Sequence, residues 1–266
     1  MPDSVPIAIS LFGHSLFPPP MSDKARQTAE QNLAIAQANF AADPSLENTI
    51  WLGRRLAYLY EFAEAFKVYT EGLGRFPDAH QLYRHRGHRY ISTRQFERAL
   101  NDLTTAAELA AERPVEIEPD GIPNAQNKPT ANTHFNIWYH LGLTHYLMGN
   151  LAQAAESYRI CLDYCDNDDS LTATIDWLYM SYRRLGEETA AAELLTQIQE
   201  EMELIEPISY HERLLMYKGL RSPETLLNPQ EATLEETALA LATQGYGVAN
   251  WYFYNGDVAQ AKQVWE

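Results

Sequence analysis

The eight residues YRHRGHRY place Arg84, Arg86 and Arg89 beside His85 and His88. Arg54–Arg55 and Arg183–Arg184 repeat the arginine pairing elsewhere in the chain. A guanidinium offers a planar fork of donors that matches a carboxylate or a phosphate. Each such charge-assisted bond contributes about 1.5–3 kcal/mol, so two or three can hold a peptide's terminal carboxylate or an acidic side chain. Histidines 85, 88, 134, 140 and 145, together with Asp176, invite metal or acid–base chemistry. The spacing does not support metal: His85 and His88 are three apart, with no HExxH pattern and no third ligand at a telling distance. An acid–base pair of His88 with Asp176 depends on packing that spacing does not fix. GxSxG, glycine-rich phosphate-loop and dinucleotide fingerprints are missing. The chain therefore reads as a non-enzyme, with no catalytic residue, cofactor or metal. The plainer account of the arginines is pairing with surface carboxylates, at about 0–1 kcal/mol for each exposed pair.

That second account has ample material, because 36 acidic residues outnumber 20 basic ones and give a net charge of −16. Long-range repulsion disfavours nucleic acid and anionic membranes as partners. No stretch approaches the roughly 20 apolar residues that cross a bilayer. The opening MPDSVPIAISLFGHSLFPPP has no basic start and an early proline, a poor secretory signal, so the expected location is cytoplasmic. Cys161 and Cys165, four apart on a predicted helix, read as reduced packing residues.

Helices must carry these side chains. Three segments align without gaps: TIWLGRRLAYLYEFAEAFKVYTEGLGRFP, YRHRGHRYISTRQFERALNDLTTAAELAA and WYHLGLTHYLMGNLAQAAESYRICLDYCD. A glycine precedes an alanine by 12 residues in each, as Gly53/Ala65, Gly87/Ala99 and Gly142/Ala154, with Tyr69, Leu103 and Tyr158 in phase. Small residues let two antiparallel helices approach closely. A single pair cannot bury its apolar faces, so neighbours must stack.

The pattern resembles the tetratricopeptide repeat family, W-x2-L-G-x2-Y followed by A, then F or Y, then P, through Trp138, Leu141, Gly142, Gly149, Ala154 and Tyr158, with Pro77 closing the first repeat. The resemblance implies an all-α fold, a right-handed superhelical solenoid of about five or six stacked antiparallel helix pairs. It further implies that first helices line a concave groove, to which Arg54, Arg84, His88, Tyr139, Tyr146, Asp176, Met180 and Arg183 turn. Family members that bind peptides use a basic clamp on adjacent first helices, and Arg54, Arg84, His88 and Asn136 occupy roughly comparable positions with different residue types. Tyr139 and Tyr146 add aromatic lining, whereas Trp138 falls on a packing position.

Around this array, residues 1–21 are expected to be extended and 22–44 to form a capping helix, with Ser22 as N-cap and Asp43-Pro44 as stop. Two repeats cover 46–111 and two more cover 135–205. The intervening 112–134 holds Pro114, Pro119, Pro123 and Pro129 and cannot be helix. Its turn-forming pairs favour an ordered loop, with Asp120, Asn124 and Asn127 walling the groove. EPDGIPNAQNKPT followed by FNIWYHLGL is similar to a stretch in uncharacterised bacterial repeat proteins, with no activity attached. Residues 206–266 read as a degenerate repeat and a last repeat that stops within its second helix, so the chain reads as shortened. Its open end makes association with a second copy easy. The function expected is a protein- or peptide-binding scaffold with a basic, aromatic-lined groove for an acidic or carboxylate-bearing ligand. Two alternatives stand beside it: an enzyme or small-molecule-binding protein with a pocket between loop and groove, and a self-assembling structural protein.

Overall fold

The computed structural model describes residues 5–124, 126–205, 209–228 and 234–266. Residues 1–4 of the segment expected to be extended, and 206–208 and 229–233 of the region read as a degenerate repeat, lie outside the described residues, as does Ala125 of the inserted loop. The chain is an all-α helical-repeat protein that divides into two compact units, one of residues 1–116 with 136–148, the other of 117–135 with 149–266. None of the described helices is long and apolar enough to cross a membrane.

In the first unit the N-terminal segment folds back on itself. Strands β1 (Ala8–Ile9) and β2 (Ser15–Leu16) pair antiparallel, Ala8 opposite Leu16 and Ile9 opposite Ser15. The Ser10 hydroxyl accepts the backbone N–H of Phe12 at 3.3 Å and of His14 at 3.0 Å, and Gly13 takes the left-handed conformation that closes the turn. Helix α1 (Asp23–Ala42) starts at Ser22, whose hydroxyl accepts the Ala25 N–H, and packs on α2 (Leu46–Tyr58). Then follow α3 (Phe62–Arg75), α4 (His80–Ser92) and α5 (Phe96–Ala110), each pair packed face to face. A Cβ on Gly53 would stand 2.3 Å from the Tyr69 ring, and one on Gly87 would stand 2.8 Å from Leu103. Those contacts, with Ala65 and Ala99 fully buried, explain why the repeat demands small residues in these registers.

The second unit receives the start of α6 (Thr133–Leu147), whose remainder belongs to the first, and contains α7 (Leu151–Leu162), α8 (Asp168–Leu185), α9 (Glu188–Leu194), α10 (Ser209–Tyr217), α11 (Pro223–Leu226), α12 (Leu234–Tyr254) and α13 (Val258–Trp265). Its core is built on Tyr158, Ile175, Leu178, Met180, Leu214, Leu215 and Val248.

One closing device recurs in both units. The turn residue after the first helix of a pair is left-handed: Tyr60 at φ 63°, Arg94 at 59°, Gly186 at 78° and Gly256 at 88°. The next N–H reaches back five residues, Glu61 to Leu56 at 3.0 Å, Gln95 to Tyr90 at 2.8 Å, Glu187 to Tyr182 and Asp257 to Tyr252 at 2.9 Å. This capping closure satisfies a carbonyl that the helix leaves without a partner.

Candidate functional site

The cation cluster of the first unit is assembled by three helices. Arg54 comes from α2, Arg84, His85, His88 and Arg89 from α4, and Asn136, Tyr139 and His140 from the first-unit part of α6. Arg54 is only 6% exposed, its guanidinium 4.5 Å above the Trp51 ring and 3.4 Å from the Tyr58 hydroxyl. Arg84, 5% exposed, lies 3.0 Å from His85 Nδ1. Arg89 Nη2 is 3.0 Å from His88 Nδ1, and its buried Nε has no hydrogen-bond partner among the described residues. The His88 and His140 rings lie 4.1 Å apart, with Tyr139 edge-on to His140 at 5.5 Å.

These contacts fix the tautomers. A guanidinium can only donate, so Nδ1 of His85 and of His88 accepts and the protons sit on Nε2. His140 is the reverse, because its Nδ1 is 2.6 Å from the Asn136 carbonyl and must donate to it. All three rings are held neutral. Burial is the main reason, and the arginine charges add to it: His85 and His88 fall well below the ordinary histidine range, and His140 drops to about 3. Arg84, Arg54 and Arg89 all act on His85, and the same three act on the buried Tyr69 hydroxyl, whose acidity burial suppresses. Among the described residues, neither Arg54 nor Arg89 has a carboxylate partner. Arg86, two residues from Arg84, is the contrast. Its fork closes on Asp102 at 2.7 and 2.8 Å and it donates to Thr70 at 3.0 Å.

The second unit treats its charges differently. Asp176 is fully buried and is bonded by Arg213 of α10, itself 1% exposed. Arg213 also donates to the Thr243 carbonyl at 2.9 Å. It passes so close to Gly247 that a Cβ there would stand 2.1 Å from Arg213 Cδ. Burial raises the Asp176 carboxyl to about 6 against the opposing pull of Arg213. Asp176, expected on a groove face, is thus engaged in holding α8, α10 and α12 together. Arg183 lies in a cavity of about 470 Å³ walled by Tyr179, Tyr217 and Tyr254, with Glu188 and Asn255. It donates to the Tyr179 hydroxyl at 3.0 Å and to Asn255 Oδ1 at 2.8 Å, and stacks 4.7 Å from the Tyr254 ring.

In the inserted loop, Asn124 binds Asp120 at 3.3 Å and the Lys128 carbonyl at 2.7 Å, while its Oδ1 accepts the N–H groups of Gln126 and Lys128. Asn127 adopts φ 50° in the same turn. The Asp120 and Asn124 side chains and the Asn127 backbone shape the loop itself. Its second half, Gln126 to Thr130, walls a cavity of about 640 Å³ opposite Asp166–Asp169 and Glu203–Ile205. Among the described residues no three or more His, Cys, Asp or Glu side chains are placed so that they could hold a metal ion.

Sequence reasoning named Arg89 and His140 but set neither among the ligand-binding residues, since His140 reaches His88 only once α6 is packed, and it missed Arg213, paired with a residue 37 positions away. Two positions assigned to an open groove are packed instead: Tyr146 is 2% exposed and Met180 is 0%.

Helix pairs in which Gly53 and Gly87 meet Tyr69 and Leu103, beside the buried Ala65 and Ala99, give the chain a tetratricopeptide-like fold. No family model and no curated protein matches it. Among solved structures it is similar to MamA residues 41 to the end from Desulfovibrio magneticus RS-1, at 19% identity and TM-score 0.48 over 65% of this chain and 84% of that one. A MamA RS-1 double mutant gives 18% identity and TM-score 0.49 over the same shares. YrrB, described as a TPR protein with an unusual peptide-binding site, gives 14% identity and TM-score 0.48 over 86% of this chain and 96% of that one.

Proposed function

We propose that the chain is a partner-recognition scaffold whose first unit takes a carboxylate of an acidic peptide, admitted past His88 and Arg89. The supporting observation is the placement of the buried Arg54 and of the partly exposed Arg89, whose Nε is buried, with no carboxylate among the described residues, beside Arg84 and three histidines held neutral. Like charges gathered in a poorly hydrated place are unfavourable unless an anion joins them. His88 and Arg89 are partly exposed, whereas Arg54 and Arg84 form the floor. The Nε2–H of His88 is a donor for the same anion, and Tyr139 and Asn136 flank the approach. Arg183, with the tyrosines around it, is a second contact point of the same chemistry in the other unit. Partners of this kind fit an acidic protein that repels polyanions at long range yet presents one local cationic face.

Fluorescence anisotropy with a labelled acidic octapeptide tests the reading. A free carboxyl terminus should bind at least about tenfold more tightly than its amide, a difference of roughly 1.4 kcal/mol. Arg89→Gln should remove that preference while the helical circular dichroism stays the same. Equal affinity for acid and amide, with no loss in Arg89→Gln, excludes the reading.

The cavity around Arg183 favours a second reading, a small anionic ligand gripped between tyrosines. Saturation-transfer NMR with benzoate, comparing wild type with Arg183→Gln, separates it from peptide binding: signal lost in the variant supports it, and no signal in wild type excludes it.

A further inference from the structure

Cys161 and Cys165 take no part in the recognition chemistry. Cys161 is fully buried on the last turn of α7, and Cys165 is half-buried in the turn that follows. Both sulfurs converge on one atom: Thr174 Oγ1 is 3.5 Å from Cys161 Sγ and 3.3 Å from Cys165 Sγ. Cys165 Sγ also folds back to 3.4 Å from the Cys161 carbonyl. Thr174 directs its own proton to the Ser170 carbonyl at 2.9 Å, which leaves its lone pairs to the two thiols. The two thiols are therefore neighbours held over one oxygen, arranged around a turn rather than on a rigid helix. The backbone N–H groups of residues 163–165 make short-range bonds, Asp163 to Ile160, Tyr164 to Cys161 and Cys165 to Leu162, at 3.0–3.2 Å. Such a turn can tighten by the small amount a disulfide requires.

We propose that Cys161 and Cys165 form a redox-active dithiol that closes to an intrachain disulfide when a hydroperoxide reaches Cys165. The order follows from access and acidity. Cys165 is the less buried member, and its hydrogen bond with Cys161 lowers its pKa against the opposing effect of its own burial, while burial raises that of Cys161. The Cys165 thiolate attacks the peroxide: an S–O bond forms, the O–O bond breaks, and the departing oxygen takes the proton released by the thiol and leaves as water from hydrogen peroxide or as an alcohol from an organic hydroperoxide. Cys161 sulfur then attacks the Cys165 sulfenic acid: the S–S bond forms, the S–O bond breaks, and a second water leaves with the Cys161 proton. Two electrons pass from the thiols to the peroxide, and a low-molecular-weight thiol reverses the change by exchange.

The turn that would tighten also anchors the inserted loop. Asn132 Nδ2 donates to the Tyr164 carbonyl at 2.9 Å, the His134 ring lies 5.0 Å from Tyr164, and Asn167 donates to the Thr130 carbonyl at 2.8 Å. Disulfide closure displaces Tyr164 and loosens residues 126–132.

Intact-mass spectrometry of the full chain after mild hydrogen peroxide is the test. The expected product is a monomer lighter by two hydrogens, restored by dithiothreitol, with a single Cys161–Cys165 crosslinked peptide. With dimedone present, Cys161→Ser should be labelled at Cys165, while Cys165→Ser should remain unlabelled. Hydrogen exchange at residues 126–132 should rise severalfold on oxidation. Two free thiols after peroxide, disulfides only between chains, or dimedone on Cys161 instead of Cys165 would each overturn the dithiol. Unchanged exchange in the oxidised chain would overturn its link to the loop.

Discussion

Two buried arginine centres, one in each unit, differ in how their charge is balanced. Around Asp176 the second unit supplies a carboxylate for Arg213, a carbonyl from Thr243 and a glycine at 247 to let the side chain pass. Around Arg54 and Arg89 the first unit supplies aromatic faces and imidazole nitrogens, but no carboxylate among the described residues. The first arrangement is complete and works as a fastening. The second is electrostatically unfinished, and under the proposed function it is there that an external anion would gain most. Buried charge by itself does not mark a binding site; what matters is whether the chain also provides the counter-charge.

Removing the counter-charge from the finished centre should have the largest effect. Asp176→Ala leaves Arg213 buried and alone, and urea denaturation should show a loss of about 3–5 kcal/mol. The double change Asp176→Leu with Arg213→Met should recover most of it. If the single change is nearly neutral, the two centres are not different in kind.

The next largest effect is on acidification, where the centres carry opposite signs. His140 stays neutral in the folded chain down to about 3, so below its ordinary value of 6.5 the unfolded chain binds the proton and the folded chain does not. Stability therefore falls as pH falls, by about 2 kcal/mol from this group at pH 5. His85 and His88 act in the same direction. The Asp176 carboxyl, raised to about 6, takes up a proton before its unfolded counterpart does, so it stabilises as pH falls through that value. Hydrogen exchange at pH 7 and pH 5 should thus show the first unit opening first. His140→Gln should reduce the difference.

A smaller effect separates the arginines of the unfinished centre from Arg86. Arg89→Gln removes a repelled cation and should leave stability unchanged or raise it by about 0.5 kcal/mol, whereas Arg86→Gln abandons Asp102 and should cost about 1–3 kcal/mol. Thermal melts of the two variants side by side measure this. The smallest change concerns the turns. Tyr60→Gly and Arg94→Gly relieve left-handed backbone at a non-glycine residue and should stabilise by about 0.5–1 kcal/mol, while Gly186→Ala should destabilise by about 1–2 kcal/mol.

Those turns also show what a sequence can disclose. Gly53, Gly87, Ala65 and Ala99 announced the helix pairs because close backbone approach admits few residue types, and Ser22 announced α1 because its hydroxyl caps a free N–H. Gly186 and Gly256 close two of the turns with the residue type that favours this conformation, but Tyr60 and Arg94 take it without the glycine that signals it. The cation cluster was partly legible, since YRHRGHRY is local. His140, brought from α6, was not legible as part of it. The Arg213–Asp176 pair left no periodic trace, because a contact across 37 residues depends on packing and on a glycine that reads as filler. The strand pair at residues 8–16 was missed for a related reason: its turn is set by one serine hydroxyl and Gly13, not by an alternating pattern.

The claim that the first unit awaits an anion is tested most directly by following its histidines. In ¹³C-resolved NMR titrations of the whole chain, His88 and His140 should resist protonation without ligand. A saturating acidic peptide with a free carboxyl terminus should move their protonation to higher pH, because a negative charge beside them favours the imidazolium. Identical titration curves with and without that peptide, or shifts confined to His14 and His211, would contradict the account.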